Sequence, residues 1–239
     1  FIISKQIEHF EFFKQIKSCI SGYLIQQSYC DLKYDRFKNF NSEIISKCFY
    51  ENELIELGTL GEGSSFRTDL YYHIADGKLY AIKKPYGCDT EIEKLIEREI
   101  SNYKKIRHPL IPKYYGTIDI GGNTCLVIEF INGRKLSDID YSKISISEKL
   151  LLIIELVSVI IYVHENNFIF RDLKPDSVMV DQNNNIVVID FDRMIDAKNI
   201  NNVNTDRTID FLFIIKHQKL ITEISNSQIN VIFIQLVKL

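Results

Sequence analysis

Residues 149–167, KLLLIIELVSVIIYVHENN, are apolar nearly all round a helical wheel, and this limits the fold more than any other stretch of the chain. A surface helix shows one apolar stripe, whereas a helix with no continuous polar face has to be enclosed on every side by other elements. Its start is marked as well. Ser145 precedes Glu148 by three residues, the spacing at which hydroxyl and carboxylate satisfy each other's backbone N–H groups. The most apolar part, Leu150 to Val163, is interrupted by Glu155 and Ser158 and is too short for the about 20 helical residues that a bilayer requires. A buried helix is expected here, and no contact with membrane.

The enclosing material is to be sought upstream. From Glu53 the sequence runs through ELIELGTL, SFRTDLYYHI and LYAIKK, short aromatic and β-branched segments, the last two joined by the turn ADGK. Three antiparallel strands follow from this pattern. TEIE at 90–93 repeats the capping-box spacing and opens a helix with apolar residues at Ile92, Leu95, Ile96, Ile100, Tyr103 and Ile106, stopped by His108 and Pro109. Glu99 lies three residues after Ile96 and four before Tyr103, on the inward stripe of that helix, so it needs a cationic partner. KYYGTIDI, the turn GGN and TCLVIEF make another hairpin, and VMV and IVVID are two further short strands around the Asn-rich turn DQNNN. Before about residue 50, Ile7, Phe10, Phe13, Ile16 and Ile20 suggest one or two helices.

Composition narrows the function. With 239 residues and a net charge of −3, the chain shows no basic excess to argue for nucleic acid. Five cysteines, odd in number and nowhere spaced C-x-x-C, disfavour a disulfide framework or a zinc site and imply a reducing, cytoplasmic setting. The first residue is Phe1, and neither a natural start nor a signal peptide is evident.

Several short motifs carry chemistry. GEGSSF at 61–66 joins two strands, and its glycines let backbone N–H groups approach a phosphate. Alone it is a weak signal, equally readable as a tight turn, and the strand that follows argues against a dinucleotide fingerprint, which requires a helix there. Lys83 in YAIKK stands on the strand after the hairpin, where an inward lysine meets the inward Glu99. FRDLKPDSVMV and VIDFD complete the series.

The order of glycine loop, A-I-K, helix glutamate, R-D-L-K-P and D-F resembles the protein kinase family, of the serine/threonine type suggested by Lys174, over residues 53 to about 195. The resemblance implies an α+β, two-lobed kinase-like fold with a five-stranded N-lobe carrying one helix and an incomplete, mainly helical C-lobe. The expected division is an N-terminal helical extension at 1–51, an N-lobe at 52–130 and a C-terminally truncated C-lobe at 131–239. It implies ATP and Mg²⁺ as cofactors and a protein as substrate, with Gly61 and Gly63 over the phosphates and Ala81 among the nucleotide-binding positions. Lys83, held by Glu99, would contact the α and β phosphates. Glu129 and Ile131 mark the hinge whose backbone reads adenine, with Ile128 gating the pocket behind. Asp172 would take the substrate hydroxyl proton, Lys174 would neutralise the transferred phosphoryl, and Asp190 and Ser177 would hold the metal.

The chain departs from the family at several points. Phe66 and Thr68 replace the third loop glycine and the following valine, Phe170 replaces a histidine, Ser177 an asparagine that binds the second magnesium, and Asp192 the glycine after Asp190-Phe191. Asp192 could bring a carboxylate near the metal, although an aspartate pointing to solvent is the commoner arrangement. After Pro175 no proline follows, so the alanine-proline-glutamate signature is absent, and DRTIDFLFIIKHQ and NSQINVIFIQLVKL do not supply the remaining helices of the large lobe. The long apolar helix is therefore expected to lack neighbours for its second face. Thr205 and Thr208 lie where activation-loop phosphorylation often falls. The leading expectation is transfer of the ATP γ-phosphoryl to serine or threonine hydroxyls. The alternatives are a pseudokinase acting as a nucleotide-binding or scaffolding module and a decayed kinase fragment.

Overall fold

The computed structural model describes residues 36, 46–87 and 89–199. The expected helices around Ile7 to Ile20, the two apolar C-terminal segments, Thr205 and Thr208 all lie outside these residues. The described chain runs β1 (Leu54–Glu62), β2 (Phe66–His73), β3 (Lys78–Pro85), α1 (Thr90–Lys105), β4 (Tyr114–Ile120), β5 (Asn123–Glu129), β6 (Gly133–Lys135), α2 (Ile146–Glu165), β7 (Phe168–Ile169), β8 (Val178–Asp181), β9 (Ile186–Val188) and β10 (Ile195–Asp196). β1 to β5 form one antiparallel sheet in the order β1-β2-β3-β5-β4, and this sheet with α1 is the small lobe. The large lobe contains α2, the sheet β6-β8-β9 and the pair β10-β7. The expected two-lobed α+β architecture is therefore present.

Local chemistry explains the elements. β4 and β5 are joined through Gly121 and Gly122 at φ 60° and 80°, the left-handed pair that a two-residue hairpin turn requires. α1 begins one residue earlier than the capping pattern implied. Its N-cap is Asp89, whose carboxylate accepts from Glu91 N, so Thr90 is the first helical residue rather than the cap. For α2 the capping box forms as expected, with Ser145 and Glu148 bonding each other's backbone N–H.

The sheet buries both faces. One face packs with α1, α2 and the large lobe into a single core that includes Phe66, Ala81, Ile96, Tyr103, Leu126, Leu156, Ile160 and Phe191. The other face carries Tyr71, Tyr80, Ile82, Ile118, Cys125 and Val127, closed by Phe49. The Phe49 ring meets Tyr80 edge-on at 5.2 Å, Lys47 N donates to Tyr115 O at 2.7 Å, and Lys47 Nζ reaches Asp76 at 2.5 Å and the Tyr80 hydroxyl at 2.7 Å. Lys47 and Phe49 thus pack on the sheet ahead of β1.

The expectation that α2 lacks neighbours for one face does not hold among the described residues. Leu151, Leu152, Ile153, Leu156, Val157, Val159, Ile160 and Val163 are all buried, and α2 packs on β7 and β9. The large exposed apolar side chains, from Tyr50 and Ile55 to Leu79 and Tyr86, belong instead to the small lobe. The polar interruption at Glu155 is used: its Oε2 accepts from Ile186 N at 2.8 Å, which satisfies the first backbone N–H of β9. No helix among the described residues is long and apolar enough to cross a membrane.

One glycine is needed for close approach. Gly133 pairs with Asp181 across β6 and β8, and a Cβ there would lie 2.3 Å from the Val180 carbonyl oxygen and 2.9 Å from Asp181 Cα. Backbone cannot rotate away as a side chain can, so Gly133→Ala is expected to destabilise the fold by about 2 kcal/mol through overpacking. Urea denaturation reads this directly, and an unchanged midpoint would contradict it.

Candidate functional site

The site is built where the two lobes face each other. On β3, Ala81 and Lys83 share the face turned toward α1, because side chains alternate along a strand. On α1, the 3.6-residue period turns Glu99 to the same interior, where it is 1% exposed. Lys83 Nζ lies 2.7 Å from Glu99 Oε2 and 2.8 Å from Asp190 Oδ1, and 4.6 Å from the centre of the Phe66 ring. The second Glu99 oxygen, Oε1, accepts from Phe191 N at 3.1 Å. Lysine, glutamate and aspartate therefore come together from β3, α1 and the segment after β9. Burial alone would push the Lys83 ammonium down, but the Glu99 and Asp190 carboxylates outweigh it and hold the group above the ordinary lysine range. Burial likewise works against ionised Asp190, and Lys83 beside it, with help from Lys174, keeps its carboxyl below the ordinary value.

The backbone that presents Asp190 is held in an unusual conformation. Asp190 has φ 73° and Arg171 φ 65°, left-handed values that cost a non-glycine residue about 1 kcal/mol or more and persist only where the surroundings enforce them. The enforcing contacts are visible. Ile189 N donates to Ser177 O at 2.8 Å, and the Asn102 side-chain amide donates to the carbonyls of Phe191 at 2.8 Å and Met194 at 2.9 Å. The buried Phe191 ring stands edge-on to Tyr103 at 5.0 Å and tilted against Phe170 at 5.5 Å. Phe170 at the family's histidine position is thus a packing residue for Phe191.

Asp172 and Lys174 form a second, more open pair, with Nζ and Oδ2 3.0 Å apart and both side chains about half exposed. Ser177 follows in a 3-10 turn led by Pro175. It is 2% exposed, and its hydroxyl has no hydrogen-bond partner among the described residues. Asp192 does not point to solvent. Its side chain is 14% exposed, and burial together with the Asp190 charge pushes its carboxyl up.

Gly61 is the penultimate residue of β1, paired with Thr68 of β2, and Gly63 begins the β1–β2 connection, where its N donates to Phe66 O at 2.8 Å and closes a tight turn. A Cβ on Gly61 would stand 3.9 Å from Lys135 Nζ, so a lysine of the large lobe reaches the glycine loop from below. Around the end of β5, Ile128 and Ile131 are buried, and Glu129 N donates to Lys113 O at 2.9 Å.

Two residues of this region had no signal in the sequence. Asn102 is one. Arg36 is the other: its guanidinium bonds Glu129 Oε1 at 2.9 Å, Pro109 O at 2.9 Å and Asp181 Oδ2 at 3.1 Å, joining the hinge and small lobe to β8 of the large lobe. It borders a cavity of about 300 Å³ with His108, Lys113, Glu129 and Asp181, which none of Lys83, Glu99, Asp172 and Asp190 lines. That cavity is therefore not the cleft.

A family model described as protein kinase domain matches residues 54–212. The chain is 34% identical over 138 residues to a carbon catabolite-derepressing protein kinase of Candida glabrata, an alignment covering 56% of this chain and 22% of that protein. It is 31% identical over 141 residues to CBL-interacting serine/threonine-protein kinase 21 of Arabidopsis thaliana, covering 57% and 34% respectively. It is 34% identical over 137 residues to the probable serine/threonine-protein kinase MARK-B of Dictyostelium discoideum, covering 56% and 19%. The chain spans about a fifth to a third of the length of these curated relatives.

Proposed function

Because the chain belongs to the protein kinase family, of the serine/threonine type, we propose that it binds ATP and a divalent cation between its lobes and transfers the γ-phosphoryl group to a serine or threonine hydroxyl of a protein. The observation that carries this reading is Lys83, only 11% exposed at its side chain and bonded at once to Glu99 of α1 and Asp190 of the large lobe. A cation fixed by two carboxylates from two lobes is already positioned, so no reorganisation is needed when phosphate charge arrives.

The remaining roles rest on the family resemblance of the motifs. Asp172 accepts the proton of the substrate hydroxyl as its oxygen bonds the γ-phosphorus and the bond to the bridging oxygen of ADP breaks. Lys174, 3.0 Å from Asp172, neutralises charge on the group in transfer. Gly61 and Gly63 offer backbone N–H groups to the phosphates, and Ala81 with the backbone of Glu129 and Ile131 receives the base. A metal fits beside Asp190, whose carboxylate is a hard oxygen donor; the buried Ser177 hydroxyl, without a partner among the described residues, is left for a water and not for the metal itself. Bound there, the metal supplies charge neutralisation of the phosphates. The free thiols of Cys48 and Cys125 support a reducing, cytoplasmic setting.

Incubation with γ-labelled ATP, Mg²⁺ or Mn²⁺ and a serine- and threonine-rich protein tests the proposal. Label should enter the protein with the parent chain and not with Asp172→Asn. A parent that binds ATP and transfers nothing replaces the enzyme by a nucleotide-binding pseudokinase. One that binds no ATP overturns the assigned cleft.

A further inference from the structure

Resting on that reading of the cleft, we infer that Asp192, at a position where the family has glycine, is the second protein ligand of the divalent cation, in place of the missing asparagine at 177. The sequence offered Ser177 for this task. The structure buries that serine in the turn after Lys174 and ties its main chain on both sides, its N–H to Lys174 O at 2.9 Å and its carbonyl to Ile189 N at 2.8 Å. A hydroxyl on a single carbon from a backbone so fixed has little reach and no charge, whereas hard divalent cations favour ionised carboxylates.

Asp192 has both reach and charge. An extended segment would put residues 190 and 192 on one side by simple alternation, but Asp190 is left-handed at φ 73°, and the chain turns instead. The turn still leaves the Asp192 side chain largely enclosed, two residues from Asp190 and within reach of its charge. Asn102 fixes that turn by bonding the carbonyls of Phe191 and Met194, on either side of Asp192. Two carboxylates held this close repel, and the nearby cations answer only part of their charge. Lys83 is shared between Asp190 and Glu99, Lys174 acts on Asp190 while paired with Asp172 at 3.0 Å, and Arg193 Nε is 3.8 Å from Asp192, a loose contact with a half-exposed partner. A divalent cation bridging Asp190 and Asp192 turns the repulsion into attraction on both sides. The orphaned Ser177 hydroxyl, one hydrogen bond from the residue before Asp190, is then free to receive a metal-bound water.

Mn²⁺ is the probe, followed by its electron paramagnetic resonance signal in the presence of a non-hydrolysable ATP analogue, whose own binding is measured in parallel by calorimetry. Asp192→Asn is expected to weaken Mn²⁺ binding at least tenfold, with Ser177→Ala within about twofold of the parent. Melting gives a second readout: in EDTA, Asp192→Asn should melt no lower than the parent, and Mn²⁺ should raise the melting temperature of the parent more than that of the variant. Equal Mn²⁺ affinity for parent and Asp192→Asn overturns the inference, as does a tenfold loss in Ser177→Ala instead. A parent that binds the analogue but not Mn²⁺ overturns this inference alone, and one that binds neither overturns the kinase reading beneath it as well.

Discussion

Lys83→Met is expected to abolish measurable ATP binding and to lower the unfolding free energy by about 3 kcal/mol, because it leaves Glu99 charged, buried and without its cation. Methionine fills much of the space of the lysine stem, so the loss is electrostatic rather than a cavity. The double variant Lys83→Met with Glu99→Gln separates the two effects. A glutamine at 99 carries no charge and can still accept from Phe191 N through its amide oxygen, now 3.1 Å from a Glu99 oxygen. The double variant should therefore regain most of the lost stability and none of the ATP affinity. Urea denaturation measures the first and calorimetric titration the second. Single and double variants of equal stability would show that the ion pair is not what the fold depends on at this point, and undiminished ATP affinity would move the nucleotide out of this cleft.

Phe191→Ala is expected to cost about 3–5 kcal/mol, the range for emptying a fully buried aromatic site. The ring is 0% exposed and packs against Tyr103 of α1 and Phe170 of the large lobe, so the cavity would open between the lobes. The effect should reach further than stability. Phe191 N holds Glu99 and Phe191 O is held by Asn102, so loosening this residue frees the left-handed turn that presents Asp190. Hydrogen exchange at 189–194 should accelerate in the variant well beyond exchange in the β4–β5 hairpin. Phe191→Leu, which refills part of the space, should lose less than half as much. A melting temperature unchanged in Phe191→Ala would mean that the ring is not a keystone between the lobes.

Much of this was legible in the residues themselves. The inward turn of Glu99 followed from its place on the apolar stripe of α1, and its partner Lys83 followed from strand alternation, since both depend only on local periodicity. What stayed hidden depended mostly on contacts distant in sequence. Asn102 reads as one more polar residue of a helix, and its carbonyl partners at Phe191 and Met194 come from the other lobe. The neighbours that enclose α2 include β7, two residues long and too short for any period to show. The cap of α1 went to Asp89 because an aspartate one position earlier competes with the threonine of the capping pattern.

The guanidinium of Arg36 gives the molecule a mechanical bias. It ties Glu129 at the hinge to Asp181, whose Oδ1 in turn accepts the backbone N–H groups of Asn183 and Asn185 and so stiffens the Asn-rich turn. A link placed at a hinge lengthens little for each degree that the two lobes open, because displacement grows with distance from the axis. The same link lengthens at once if one lobe slides or twists past the other, since its anchors lie on opposite sides. Arg36 should therefore leave opening and closing soft while making shear stiff, a joint with one free direction. If the lobes open along that direction, β3 and the Asp190 turn should stay in register, and closing should return Lys83 to the same carboxylates.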